Sequence, residues 1–140
     1  MSLLERAREL RGLSRGALLA RAPDASVDED VRYEKLRPVA RVRAPSVWPG
    51  YFYFDGDRQV MLYAGDPSEA DPGELAGRLG PGGHELRSRA GKRAVLHVWP
   101  EQGVAFSEEG GGVDFLEVFE PTTLEDYEAR IYEDPGEFIR

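Results

Sequence analysis

One order of elements occurs twice in this chain, and it limits the fold more than any other feature. The order is "VWP", a glycine, a strand, a turn, a strand, an acidic residue with proline, then a helix. The first pass runs from Val47 through "GYFYF", "DGD" and "RQVMLYA" to Asp66-Pro67. The second runs from Val98 through "GVAFS", "EEGGG" and "VDFLEVF" to Glu120-Pro121. Trp48 and Trp99 are the only tryptophans, and each precedes a proline. Gly50 aligns with Gly103 and Phe54 with Phe106. Short apolar runs bounded by Asp-Gly or Gly-Gly read as hairpins, because glycine supplies the positive φ that tight turns need. Two units are too few for a solenoid. They predict an α+β fold: a single antiparallel sheet of five to seven strands, helices mainly on one face, built from two degenerate β-β-β-α repeats.

The helices follow from spacing and caps. Leu3, Leu4, Ala7 and Leu10 recur at helical intervals, so residues 2–11 read as an amphipathic helix that "LSRGALLARA" extends beyond Gly12. Residues 24–38 also read as helical, with Asp24 or Ser26 as cap and Pro38 as stop. After the first hairpin, Pro72 opens a helix whose apolar face holds Leu75 and Leu79 and which Gly80 ends. After the second, Thr122 or Thr123 caps a helix carrying Leu124, Tyr127 and Ile131. The chain of 140 residues is thus one domain. It divides into a helical N-terminal segment (1–38), a first unit (39–80) and a second unit (88–134).

Composition removes several functions. There is no cysteine, so disulfides, thiolate metal sites and cysteine nucleophiles are excluded. The net charge of −8 argues against nucleic acid as partner, since phosphate contacts need a basic footprint. The opening "MSLLERARELRG" lacks the apolar run of a signal peptide, and no stretch is long enough to span a membrane. The expected location is the cytoplasm, with another protein as partner. Charge is uneven: residues 1–43 hold ten Arg or Lys against seven Asp or Glu, whereas residues 101–140 hold twelve acidic residues against Arg130 and Arg140. Such ends either attract each other within the fold or present an acidic surface to a basic partner.

Motifs for catalysis are weak. Ser107, His97 and Asp114 are the residue types of a nucleophilic triad, but no nucleophile turn accompanies them. Asp55 and Asp57 flank Gly56 without the further oxygens that a calcium loop requires. Glu108, Glu109 and Asp114 beside "GGG" read as a solvated hairpin tip. "GRLGPGG" lacks the Lys and Ser/Thr of a phosphate loop. "RSRAGKR" is a local basic patch suited to ion pairs with the acidic C-terminal segment or to an anion contact. His84 lies in a loop. No residue set calls for a metal, a cofactor or a catalytic role.

A resemblance rests on Leu79-Gly80-Pro81, Val98-Trp99, Gly103-Val104-Ala105-Phe106 and Phe115-Leu116-Glu117-Val118-Phe119. Over residues 72–121, and more faintly 39–66, this pattern resembles the small outer-membrane lipoproteins of the SmpA/OmlA type and the related β-lactamase inhibitory protein family. That family carries such units in tandem. The resemblance implies a sheet that binds other proteins. The chain departs from it in having no lipid-acceptor cysteine and no disulfides.

Side chains alternate across a strand, so Tyr51 shares a face with Tyr53, Met61 with Tyr63, and His97 with Trp99. The alternate positions, Phe52, Phe54, Val60, Leu62, Leu96 and Val98, are uniformly apolar and suit burial beneath helices. The expectation is therefore a non-enzymatic binding or regulatory protein. It presents Tyr51, Tyr53, Met61, Tyr63, His97 and Trp99 together on a partly exposed sheet face. Two alternatives remain: an immunity- or antitoxin-like acidic protein that masks a basic partner, and a small enzyme or ligand binder with a pocket around His97.

Overall fold

Local capping fixes where each helix begins. Ser2 accepts the Glu5 N–H and starts α1 (Leu3–Leu10), which buries Leu3, Leu4, Ala7 and Leu10. Ser14 caps α2 (Arg15–Arg21) in the same way, so "LSRGALLARA" forms a second helix rather than an extension of the first. Asp71 caps α3 (Pro72–Leu79), with proline in its first turn, and Thr123 caps α4 (Leu124–Arg130). The structure is a computed structural model that describes residues 2–136.

Among the described residues eight strands lie between the helices: β1 (Ser26–Tyr33), β2 (Leu36–Arg43), β3 (Tyr51–Asp55), β4 (Arg58–Gly65), β5 (His84–Arg87), β6 (Val95–Trp99), β7 (Val104–Glu109) and β8 (Gly112–Val118). They form one antiparallel sheet in the order β1-β2-β3-β4-β8-β7-β6-β5. Two four-stranded meanders therefore meet at the β4–β8 pair, and α3 carries the chain from the sheet centre to its far edge. The single antiparallel α+β sheet is as expected, but it has eight strands rather than five to seven.

One added strand overturns the helical reading of residues 24–38. Val27, Val31 and Leu36 gave a helix-like interval there. The interval arises from irregular pairing: Asp28 faces Arg41, yet Val31 faces Val39, so an extra residue is accommodated and strict alternation is lost. Asp30 takes φ 54 within this stretch. The helical N-terminal segment ends with α2.

The two halves share their strand register. Phe52 faces Leu62 and Tyr53 faces Met61, after which Phe54 faces Gln59 and Val60 is skipped. Phe106 faces Leu116 and Ser107 faces Phe115, after which Glu108 faces Val113 and Asp114 is skipped. Adding 54 to each number of the first hairpin yields the second, bulge included. The "VWP" triplets are not what coincides. Val42 faces Phe52, whereas His97 faces Phe106, so Trp99 stands where Ala44 stands in the first half. Trp48 lies in the longer turn between β2 and β3. Its Nε1–H donates to the Tyr63 carbonyl at 2.8 Å, while the Trp99 Nε1–H donates to the Gly80 carbonyl at 2.9 Å.

Gly50 and Gly103 do correspond in role. A Cβ on Gly50 would sit 1.9 Å from the Tyr63 oxygen, and one on Gly103 would sit 2.0 Å from the Phe119 oxygen. Each lets the chain entering a hairpin press against backbone that no other residue could approach.

Two cores lie on opposite faces of the sheet. α1, α2 and α3 cover a layer with Trp48, Phe52, Phe54, Leu62, Trp99, Phe106 and Leu116. The other layer holds Tyr33, Tyr53, Met61, Leu96, Val98, Phe115 and Phe119 beneath Tyr127, Ile131 and Tyr132 of α4 and the segment after it. The helices thus divide three to one between the faces. Of the two helices that follow the hairpins, α3 packs on the first face and α4 on the second.

Candidate functional site

The expected aromatic face separates into two. Tyr51, Tyr53, Met61 and Tyr63 do share a face, because Tyr51 faces Tyr63 and Tyr53 faces Met61. His97 and Trp99 lie on the opposite one: His97 faces Phe106, Phe106 faces Leu116, and Leu116 faces Ala64. Leu96, Val98 and the bulged Val60 accordingly join the tyrosines. Alternation is as expected in β3 and β6, whereas the bulge in β4 puts Val60 on the same side as its neighbour Met61. What single-strand parity leaves open is which parity of β6 aligns with which parity of β3, and cross-strand pairing decides that.

Exposure corrects the expectation further. Trp99 is 6% exposed and stacked on Phe106 (5.7 Å between ring centroids, 15° between planes), so it is core. Tyr53 is 5% exposed and Met61 fully buried. Three of the six stay half-buried: His97 on the opposite face, and Tyr51 and Tyr63, which are stacked with centroids 6.4 Å apart and planes 21° apart. The Arg41 guanidinium lies 5.1 Å from the centre of the Tyr51 ring and pairs with Asp28 at 3.0 Å. His97 is held by Glu108 at 2.8 Å on the helix-covered side.

The triad types do not converge. Ser107 donates to Asp114 at 2.9 Å, but His97 is on the other face of the sheet. Ser107 lies 2.5 Å from Ser88, whose oxygen accepts the Ala90 N–H. Because the single Ser107 proton goes to the carboxylate, Ser88 must donate to Ser107. This chain of bonds anchors both residues flanking Arg89.

Arg89 belongs to a buried polar cluster that no local motif announced. The Glu117 side chain, 1% exposed near the C-terminal end of β8, accepts from the Tyr127 hydroxyl at 2.6 Å and from the Tyr33 hydroxyl. The Arg89 guanidinium donates to the Tyr33 oxygen and to Glu34, both at 2.8 Å, and lies 3.5 Å from Glu117. It sits 4.1 Å from the centre of the Phe115 ring, 5.0 Å from Tyr33 and 5.9 Å from Tyr63. Burial alone would lower the Arg89 pKa, but Tyr33 and Glu117 outweigh it and hold the group charged. Burial raises the carboxyl pKa of Glu34, with Arg89 opposing. The sequence signal for this cluster was Glu117 itself, an acid inside the apolar run "VDFLEVF".

Burial, followed by the Glu117 charge, pushes the Tyr33 and Tyr127 phenols well above their usual value. Burial and Asp134 push Tyr132 up to about 12. An unfolded phenol ionises near pH ~10, so above that pH the unfolded state gains ionisation that the fold resists. Stability is therefore expected to fall as pH rises past ~10. In a titration followed at 295 nm, phenolate from these tyrosines should appear together with loss of far-ultraviolet circular dichroism. Full phenolate absorbance with unchanged dichroism would contradict this.

The remaining candidates have structural partners. Asp57 accepts the Gly16 N–H at 2.8 Å, which ties the "DGD" turn to the start of α2. The basic patch contributes Arg87, 4.0 Å from Asp134, as well as Arg89. Glu133 pairs with Arg32 and Glu120 with Arg58, so part of the acidic end is neutralised within the fold. A cleft of about 300 Å³ beside Trp99 takes in His84, not His97. A larger one of about 610 Å³ lies between Arg11, the β3–β4 turn and Phe119. Among the described residues no helix is long and apolar enough to cross a membrane.

Comparison with protein-family models, curated proteins and solved structures gives no match for this chain.

Proposed function

We propose that this chain is a non-enzymatic protein-binding module that works through the outer end of its tyrosine face. The observation that carries the reading is the half-exposed Tyr51–Tyr63 stack beside Arg41, on a layer whose other aromatic rings are buried. Tyrosine and arginine offer large contact area with polar edges, and they dominate the energetics of protein interfaces. The likeness to the SmpA/OmlA-type module and to the tandem inhibitor family adds support. The shared register and bulge of the two hairpins favour origin of the two meanders by duplication of a four-stranded unit, to which α3 and α4 were fitted on opposite faces. We place the protein in the cytoplasm, with neither nucleic acid nor membrane as its partner. The acidic-mask alternative has less support, because Glu120, Glu133 and Asp134 already face internal arginines. A His97 pocket also has less, because Glu108, Trp99 and Phe106 surround that ring.

Quantitative affinity capture with wild type and Tyr51→Ala tests the reading. A partner held by wild type should be retained about tenfold less by the variant, whose fold and melting temperature stay close to wild type. Equal capture of every partner by both proteins would refute it.

A further inference from the structure

Arg89 fills a site that other parts of the chain build. The site consists of Tyr33 from β1, Glu34 from the β1–β2 turn, Tyr63 from β4, and Phe115 and Glu117 from β8. Arg89 comes from the connection between β5 and β6, at the far edge of the sheet. Its guanidinium meets three aromatic rings, one phenol oxygen and two carboxylates. A guanidinium is planar, delocalised and weakly hydrated, so it can stack on rings while its N–H fork engages oxygens at its edge. An ammonium is a strongly hydrated point charge and cannot match both sets of contacts. Two carboxylates converge on this one guanidinium, so an arginine that takes its place meets the same complementary charge. The Arg89 side chain is 30% exposed, and Tyr63 belongs both to this site and to the Tyr51–Tyr63 stack. The filled site therefore opens beside the proposed contact surface.

We propose that this is a guanidinium-recognition site kept filled by the chain's own Arg89, and that an arginine of the partner enters it by displacing Arg89. The proposal rests on the binding reading above and names the chemistry of the group that the partner presents. Arg89 then acts as an internal competitor: a partner must offer a better-placed arginine to gain the pocket, which lowers affinity for chance contacts.

Arg89→Ala removes the side chain beyond Cβ, and ethylguanidinium is the group removed. The variant should melt below wild type. Ethylguanidinium at about 1–10 mM, a range suited to a ligand of so few atoms, should raise its melting temperature saturably. Ethylammonium should do so far less, and neither should shift wild type. Equal effects of the two cations on the variant would overturn the proposal. Displacement is tested separately with Arg89→Lys, which keeps the charge but loses the fork, and which also serves if Arg89→Ala does not fold. The peptide acetyl-Gly-Arg-Gly-amide, followed by NMR of the tyrosine rings, should bind Arg89→Lys about tenfold more tightly than wild type. Equal affinity, or binding to neither, would overturn displacement. Neither arm needs a partner, and Tyr51 lies outside the cage, so this proposal and the surface reading fail separately.

Discussion

Replacing Glu117 by alanine is expected to destabilise the protein by about 3–5 kcal/mol, the cost of removing one member of a buried charge pair. Three groups lose their partner at once. The Tyr33 and Tyr127 hydroxyls donate to the carboxylate, and Arg89 lies 3.5 Å from it with Tyr33 and Glu34 as its remaining contacts. Water cannot replace the lost oxygens easily, because both phenols are buried. Glu117→Gln should cost less, about 1–3 kcal/mol. Its carbonyl can accept from one phenol, but its NH₂ group must face the other, and Arg89 loses the charge. Urea unfolding of the three proteins measures the order. A loss under about 1 kcal/mol for Glu117→Ala would mean that the cluster is solvated and contributes little.

Trp99→Ala is expected to cost about 3–5 kcal/mol, the range for a large aromatic truncated inside a core. The ring stacks on Phe106, and the indole N–H satisfies the Gly80 carbonyl at the end of α3. The Gly83 backbone lies so close that a Cβ there would stand 2.6 Å from the ring. Removing the indole therefore opens a cavity and leaves the Gly80 carbonyl, which follows α3, without its partner. Trp99→Phe should recover part of the packing but not the hydrogen bond, and should fall between wild type and alanine. Chemical denaturation decides it. A loss below about 1 kcal/mol would place Trp99 at the surface, against the layer assigned to it.

Both expectations depend on residues that the sequence presents differently. Trp99 reads as part of an exposed aromatic set because it alternates with Val98 in a strand that also holds His97. That parity is correct, yet the partner strand turns it toward the helices. Glu117 reads as one more acid in an acidic C-terminal segment, although it is the centre of a buried cluster. Residues 24–38 read as a helix because a bulge in β1 stretches its apolar spacing. Tyr51 and Tyr63 are the part of the proposed surface that remains half-exposed, while Tyr53 and Met61 lie beneath Tyr33 and the α4 layer.

The sequence by itself determined what depends on neighbours along the chain. It placed the hairpin turns at Gly56 and at Gly110-Gly111, and the helices after Asp71 and Thr123. It also set the alternation within β3 and β6 and the double order of elements. Turn, cap and pleat are settled over a few residues, so the local order of residues can specify them. Only the tertiary structure decided which strand faces align, why α3 and α4 take opposite sides, and how the cluster assembles. Tyr33, Glu34, Arg89 and Glu117 meet because β1 and the β5–β6 connection, from opposite edges of one sheet, both reach over β8. Register and curvature arise from pairing between segments far apart in the chain, and no local pattern encodes them.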